Sequence, residues 1–173
     1  ELLKAACCNL SESFDTNPSV DVNHNDAITG TKQIEMLGLK SPYILITEEN
    51  IPMVRGASQT FGLGFTPGTW IESIQVTKGM GSVTNGYESI VGQINTEIKK
   101  PYNDMPFFFN LFKGIDGRFE ANAHLRSKVS DKIQNTFFVH YNDRKKVNDN
   151  NGDMFLDKPL QDQLNLLSKW QFT

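Results

Sequence analysis

Four segments of about ten residues in the second half of the chain are expected to be strands, since apolar and polar residues alternate with a period of two in all but the first of them. The clearest runs from Arg118 to Ser127, and its apolar positions are Phe119, Ala121, Ala123 and Leu125. The other three are Phe107–Asp116, Ile133–Asn142 and Leu164–Thr173. This period predicts β-strands whose two faces meet different surroundings. The pattern alone fits both a sheet in water with one buried face and a wall between lipid and a watery lumen.

The first half of the chain predicts one helix and several short strands. Apolar residues between Glu1 and Phe14 recur at a spacing of about 3.6 residues, which is typical of an amphipathic helix that Asn17-Pro18 would end. The glycine-rich segment Arg55–Gly68 (RGASQTFGLGFTPG) predicts a surface loop. The short strands are predicted at Pro18–Val22, Lys32–Leu39 and Tyr43–Val54.

The stretch from Trp70 to Pro101 combines two strands with a glycine-rich connection. An alternating strand begins at Ile71, and a second spans Gln93–Lys99. Glycine tolerates positive φ and close approach of the backbone, so the connection is expected to turn sharply and pack closely. The glycines that interrupt the chain are Gly79, Gly81, Gly86 and Gly92.

This stretch resembles the C-terminal half of the plug domain of TonB-dependent outer-membrane receptors. Residues 71–79 (IESIQVTKG) are similar to the family's strand of the form IERIEVLRGP. Residues 91–101 (VGQINTEIKKP) are similar to its second strand, GGVINIITKKP. The positions that carry this signature are Gly79, Gly81, Gly92 and Asn95. The resemblance implies an α+β plug domain, a small mixed sheet with short helices, over residues 1–101.

The segments after the plug are then expected to be strands of the barrel that encloses it. The resemblance implies that residues 102–173 form about the first four strands of an antiparallel transmembrane β-barrel. Plugged outer-membrane transporters have 22-stranded barrels, so the chain is expected to be a truncated part of a receptor. Trp170, Phe172 and Tyr141 near the strand ends would suit the aromatic girdle of such a barrel.

The same resemblance implies a function and partners. Receptors of this family take up a scarce ligand across the bacterial outer membrane, with lipid around the barrel and the plug on the periplasmic side within it. Energy comes from TonB and its inner-membrane motor complex, which act through an upstream segment absent from this chain. Loops at the plug apex contact the ligand, although ordinary packing would explain their side chains equally well. The candidates are Arg55, Gln59, Phe61 and Phe65.

Composition and charge exclude some classes of function. The 173 residues are 38% hydrophobic and 21% charged, which is typical of a folded chain of one or two domains. No apolar run approaches the ~20 residues of a membrane-spanning helix. The net charge is −3 without any basic run, so nucleic acid is not an expected partner.

Sulfur side chains are candidate ligands for a soft metal. Cys7 and Cys8 are adjacent, so they form no disulfide framework, and they are either small buried residues of a helix or thiolate ligands for Cu(I). Residues 7–14 (CCNLSESF) resemble plug starts in a subgroup of Bacteroidota receptors associated with metal uptake, which makes copper a candidate transported ligand. Met36 and Met53 could add thioether ligands, although methionine more often fills a core.

An acidic segment between the last two predicted strands is a candidate calcium loop. Asp149, Asn151, Asp153 and Asp157 lie in DNNGDMFLD and place oxygen ligands at alternating positions. The match to a helix–loop–helix calcium site is incomplete because Met154 replaces a required glycine. A solvated acidic loop is the alternative, and neither interpretation provides catalysis.

No constellation predicts an enzyme. His24, His124 and His140 lack a nucleophile elbow, an HExxH pair or a phosphate-binding loop nearby. The expected function is therefore that of an outer-membrane receptor for a metal ion, a metal chelate or another scarce ligand. The alternative is a soluble periplasmic or extracellular β-rich binding module, braced by calcium.

Overall fold

Two units make up the chain. The computed structural model describes residue 14 and residues 20–24, 32–53, 55–62, 64–83, 88–103 and 105–173. The N-terminal unit is Glu1–Asp26 with Gly30–Ile98, and the C-terminal unit is Ala27–Thr29 with Lys99–Thr173. The helix expected over Glu1–Phe14 lies outside the described residues, apart from Phe14. In the described part of the chain, no helix is long and apolar enough to cross a membrane.

The N-terminal unit contains a small antiparallel sheet and a larger mixed sheet. The small sheet has the order β1-β2-β3, with β1 at Asp21–His24, β2 at Lys32–Met36 and β3 at Leu39–Lys40. The mixed sheet has the order β5-β4-β7-β6, and β4 is parallel to β7. Its strands are β4 Ile44–Glu48, β5 Ile51–Pro52, β6 Ile71–Lys78 and β7 Gly92–Ile98. The predicted mixed-sheet fold is therefore confirmed.

The segment Lys32–Leu39 is not one strand, as the alternation predicted, but a hairpin. β2 ends at Met36, and β3 returns from Leu39 opposite it. Leu37 and Gly38 between them have φ values of 50° and 77°. Two successive positive φ angles give the tight turn whose twist suits a two-residue hairpin. Periodicity did not reveal it because leucine is an unusual residue at such a position.

The segment Arg55–Gly68 is more ordered than the predicted loop. A 3₁₀ turn at Gly56–Ser58 leads into the short helix α1, Gln59–Gly62, and a further 3₁₀ turn spans Gly68–Trp70. Gln59 and Thr66 are buried within this segment. Gln59 and Thr66 therefore anchor the segment in the N-terminal unit, while Arg55 and Phe65 stay exposed at its surface, as a surface loop predicts.

One apolar core joins the two sheets of the N-terminal unit. Ile34 and Met36 reach it from β2, and Ile44, Ile46 and Ile94 reach it from β4 and β7. Full burial of such a side chain stabilises the fold by roughly 1.5–3 kcal/mol. The remaining members are Phe14, Val20, Ile71 and Val91.

Gly92 is required where β7 begins. A Cβ at this position would lie 2.5 Å from the carbonyl oxygen of Thr77 on β6 and 2.9 Å from Cε of Met36. The first contact is with backbone, which cannot move aside as a side chain can. Gly92 therefore allows β6 and β7 to pair closely beneath the core, as the sequence suggested for this glycine.

The C-terminal unit is a four-stranded antiparallel sheet in the order β11-β10-β9-β8. Its long strands begin near the predicted positions, and β9 and β10 extend further than predicted. A turn at 131–132 joins β9 to β10, and a loop at 145–160 joins β10 to β11. The bounds are β8 Phe107–Lys113, β9 Arg118–Ser130, β10 Ile133–Arg144 and β11 Gln161–Phe172.

The close approach at Gly92 gives a stability prediction for residues 1–101 prepared alone. Gly92→Ala should lower the free energy of unfolding by about 1–3 kcal/mol, because the added methyl overpacks a site closed by backbone. Urea unfolding followed by the fluorescence of Trp70, the one tryptophan in this range, measures the change.

Thr77→Ala is the matched control, because it removes an exposed side chain and leaves the opposing carbonyl in place. Its effect should stay within about 0.5 kcal/mol. An unchanged midpoint for Gly92→Ala would contradict the packing described for β6 and β7.

Candidate functional site

The C-terminal sheet buries its polar face and exposes its apolar face, which is the reverse of a sheet in water. On β9 and β10 the polar side chains alternate with apolar ones, and the polar set is the buried one. Glu120, His124 and Thr136 have no exposed surface at all. The buried polar set is Arg118, Glu120, Asn122, His124, Thr136, His140, Asn142 and Arg144.

The opposite face is apolar and exposed. Leu164 on β11 is 63% exposed, and Phe107 on β8 is also 63% exposed. A sheet in water buries its apolar face, and soluble monomers rarely expose large apolar patches. An apolar band facing outward with polar residues inward is the pattern of an outer-membrane barrel wall. The exposed set also includes Phe109, Leu111, Leu125, Phe137, Leu166, Trp170 and Phe172.

The buried polar face forms specific contacts. Arg118 and Glu120 form an ion pair on β9. Nδ1 of His140 lies 2.7 Å from Oδ1 of Asn122, its register partner on β9. The ion pair and the His140–Asn122 contact offset part of the free-energy cost of burying these polar groups.

Phe138 is the apolar exception on this polar face, and the structure explains it. The rings of His124 and Phe138 are 4.7 Å apart in an edge-on arrangement, and Phe108 lies 4.8 Å from the other side of the His124 ring. The imidazole therefore sits between two aromatic rings from neighbouring strands. His124 and His140 occupy the polar face that the alternation predicted.

The predicted ligand-contacting residues of the N-terminal unit have different environments. Nε of Arg55 lies 2.9 Å from Oε2 of Glu88, and its side chain is 58% exposed. Gln59 is buried, and its Nε2 donates to the carbonyl of Ile44 at 3.1 Å. Phe65 is exposed. Phe61 lies in α1, and its side chain is outside the described residues.

Arg55 and Phe65 are thus accessible to a ligand, whereas the amide nitrogen of Gln59 donates its hydrogen bond to the backbone of β4. The sequence did not reveal Glu88 as the partner of Arg55. Glu88 is separated from Arg55 along the chain and shows no periodic pattern. Its contact depends on how the connection between β6 and β7 folds back. The ligand-contacting role of all four residues stays a prediction.

The glycine and asparagine positions of the signature shape the backbone around β7. Gly79 adopts φ 87°, and its N–H donates to the carbonyl of Val91. Gly81 donates to the carbonyl of Ser89 at 2.9 Å. The two described ends of the connection therefore continue the β6–β7 pairing beyond the strands.

Asn95 stabilises a strained hairpin. Its Oδ1 accepts hydrogen bonds from Oγ1 of Thr47 at 2.8 Å and from the backbone N–H of Asn50 at 2.9 Å. Glu49 and Asn50 form the turn between β4 and β5 with φ values of 53° and 63°. This turn favours Asn-Gly, and the buried Asn95 amide holds its second residue, Asn50. Glu49 at the first position donates its N–H to the carbonyl of Thr96, and its carboxylate accepts from the N–H of Ile98.

The candidate metal ligands lie apart in the fold or outside its described part. Cys7 and Cys8 lie outside the described residues. Met36 is fully buried in the core, and Sδ of Met53 lies 3.9 Å from Oγ1 of Thr66. Wherever the structure describes side chains, no group of three or more His, Cys, Asp or Glu is placed to hold a metal ion. The soft-metal assignment stays a prediction.

The carboxylates of the acidic loop bond to the loop's own backbone. Asp149 accepts from the N–H groups of Gly152 and Met154, and Asp153 accepts from that of Phe155. Asp157 accepts from the N–H of Asn150 at 2.8 Å. Asn151 donates to Asp153. These bonds hold the conformation of the loop, and calcium binding by it stays a prediction.

Comparisons with known proteins agree with this description. The family model described as TonB-dependent Receptor Plug Domain matches residues 1–93. No curated protein matches the chain.

Solved structures with a similar fold include two transporters and an outer membrane receptor. The FrpB iron transporter from Neisseria meningitidis (F5-1 variant, apoprotein form) has a TM-score of 0.76 at 16% identity, covering 99% of this chain and 28% of that one. The pyoverdine receptor FpvA from Pseudomonas aeruginosa PAO1, bound to pyoverdine, has a TM-score of 0.65 at 17% identity, covering 79% and 20%. The copper transporter OprC has a TM-score of 0.65 at 16% identity, covering 86% and 23%.

The chain spans well under a third of each of those structures, and at these identities the likeness shows the fold alone. The family model, which covers more than half of the chain, shows the family. With its exposed apolar sheet, the chain does not fit the soluble binding module considered above. It belongs to the TonB-dependent receptors, outer-membrane proteins in which a plug domain lies within a β-barrel.

Proposed function

We propose that the full protein takes up a metal ion or a metal chelate across the outer membrane. In this proposal the N-terminal unit is the plug, and the C-terminal unit supplies the first four strands of the barrel. The observation that carries it is the C-terminal sheet, which exposes apolar side chains and buries polar ones. A wall of this kind separates lipid from a polar interior, as transport through a plugged barrel requires.

The class of ligand is supported by two further observations. The similar structures include an iron transporter, a receptor bound to the siderophore pyoverdine and a copper transporter. Adjacent cysteines at the start of the chain supply the soft donors that Cu(I) prefers. We therefore propose copper as the specific ligand to be tested first, with a metal chelate as the second candidate.

Copper retention tests the specific ligand on the full-length receptor in detergent. The receptor is incubated with Cu(I) and a panel of divalent metals and then desalted, and bound metal is measured by elemental analysis. We expect about one copper per chain, and its loss when Cys7 and Cys8 are both replaced by serine, because thiolates are the strongest soft ligands available.

Met154→Leu serves as the matched control, because it removes an exposed thioether from the loop at 145–160 and should leave the copper content unchanged. Absence of retained metal in the parent receptor would contradict the copper proposal. A metal chelate would then be the better candidate, and binding of a ferric siderophore would be measured instead.

The mechanism that we propose is a pull on the plug from its N-terminal side. TonB, driven by the inner-membrane motor, would act through a segment upstream of the plug. Among the strands that the structure describes, β1 pairs with β2 alone at the edge of the small sheet, whereas β7 lies between two strands of the mixed sheet. Short edge strands open locally at lower cost than central ones. The small sheet is therefore the part that would separate first.

A disulfide across the small sheet tests this order of events. Asp21 on β1 and Glu35 on β2 are register partners, and paired Cα atoms lie within the span of a disulfide. With both replaced by cysteine, the oxidised receptor should bind its ligand normally but lose most of its uptake. Reduction should restore uptake.

The single Asp21→Cys variant, oxidised in the same way, controls for reactions of Cys7 and Cys8. Uptake by the oxidised double variant at the rate of its reduced form would show that β1 and β2 stay paired during transport.

A further inference from the structure

A charged cluster lies at one end of the C-terminal sheet. The turn 114–117 joins β8 to β9 there, and the loop 145–160 joins β10 to β11 at the same end. The short turn at 131–132 lies at the opposite end. Barrels of this class place longer loops outside the cell and short turns in the periplasm. The cluster thus lies on the outer side, and only this sidedness rests on the proposed function.

Asp116 contacts both ends of the long loop. Nζ of Lys158 donates to its Oδ2 at 3.0 Å, and Nε of Arg144 lies 3.6 Å from the same oxygen. Nδ2 of Asn148 donates to the Asp116 carbonyl at 2.8 Å. One residue of the short turn therefore bonds to the segment that enters the loop and to the segment that leaves it.

Arg144 depends on Asp116 because of its neighbour across the strands. Arg144 on β10 and Arg118 on β9 are register partners, and both are buried. Like charges directly opposite each other destabilise a sheet. Glu120 pairs with Arg118, and Asp116 provides the carboxylate on the Arg144 side. Loss of the Asp116 charge would therefore reduce the free energy of unfolding by more than loss of an exposed surface ion pair does.

The loop also packs closely on the turn. Gly117 has φ +85°, and a Cβ there would lie 2.5 Å from Cβ of Lys146. Nη1 of Arg144 donates to the carbonyl of Pro159 at 3.3 Å, which ties the end of the loop to β10. The close packing of Lys146 on Gly117 and the charged contacts of Asp116 therefore both hold the loop against the turn 114–117.

We propose that Asp116 is the residue that fastens the loop 145–160 over the turn 114–117. The loop then acts as a fixed strap across the outer end of these strands, and it does not open and close as a gate during transport. Lys158 and Arg144 supply the positive charge that faces the Asp116 carboxylate.

The charge state of Asp116 fits this role. The hydrogen bond from Lys158 lowers the pKa of Asp116, as do the backbone N–H of Arg118 and the positive charges of Lys158 and Arg144. A carboxylate whose pKa is lowered in the folded state stabilises it above the ordinary aspartate pKa, and this contribution is lost as pH falls through the lowered value. An assay at neutral pH therefore examines the strap with Asp116 ionised.

Trypsin cleavage of the full-length receptor in lipid vesicles tests the proposal. Lys145 and Lys146 are cleavage sites at the start of the loop, and cleavage follows the population of locally opened protein. In Asp116→Asn, cleavage at these sites should be about tenfold faster or more, because the removed bonds are charge-assisted. Lys158→Gln, which keeps the Arg144 contact, should give a smaller increase.

Asp131→Asn is the matched control. It removes an exposed aspartate that pairs with Lys128 at 2.8 Å beside the opposite turn, and its cleavage should match the parent. Heat-dependent migration in gels verifies that each variant has a folded barrel. If Asp116→Asn does not fold, Lys158→Gln provides the test. Parent-like cleavage in folded Asp116→Asn, or in Lys158→Gln when only that variant folds, would overturn the proposal, whatever the metal-binding experiment shows.

Discussion

The structure depends on how its strands satisfy their backbone hydrogen bonds where water is absent. In a bilayer every N–H and C=O group must be bonded within the protein. β10 meets this requirement along its whole length, because each residue from Ile133 to Arg144 has a register partner on both β9 and β11. The same extended backbone sends alternate side chains to opposite faces, so apolar groups are exposed on one face and polar groups are buried on the other. β8 and β11 are the edges of this sheet, and in lipid each needs a further strand beside it.

The N-terminal unit is built differently, and this difference suits the proposed roles of the two units, a plug that opens locally and a part of the barrel wall. Its strands are short, between two and eight residues, and its apolar side chains lie inside, around Ile34, Ile46 and Ile94. Its stability depends on close packing, as at Gly92, and on single buried contacts such as the Asn95 amide. A domain held in this way can open in parts, beginning with the small sheet, while a continuously paired wall stays intact.

The sequence predicts much of this fold and less of the site. Period-two alternation located β9, β10 and β11 of the C-terminal sheet, because the two faces of each strand differ in exposure over most of its length. β8 (FFFNLFK) lacks clean alternation and is exposed along most of its length. The resemblance at residues 71–101 identified the plug, since its glycines mark positions where the backbone must turn or pack closely. Leu37-Gly38 and Glu49-Asn50 were harder to predict as turns, because residues with a Cβ rarely occupy positive φ.

Contacts between distant residues could not be derived from local patterns. Glu88 meets Arg55, and Asp116 meets Arg144 and Lys158, only because particular strands pair in particular registers. The burial of Gln59 could not be predicted from local sequence either. Its segment has a loop-like composition, yet its side chain bonds to the main chain of β4.

Spin labels along β11 test the central claim, that the apolar face of the C-terminal sheet meets lipid. In the full-length receptor with Cys7 and Cys8 replaced by serine, single nitroxides are placed at Leu164, Asn165, Leu166 and Leu167 in a bilayer. Collision rates with oxygen, which concentrates in lipid, are then measured against those with a water-soluble nickel chelate. Contact of this face with lipid predicts high oxygen accessibility at 164 and 166 and low values at 165 and 167, although Leu167 is itself apolar. Equal values at all four positions, or nickel accessibility highest at 164 and 166, would contradict it.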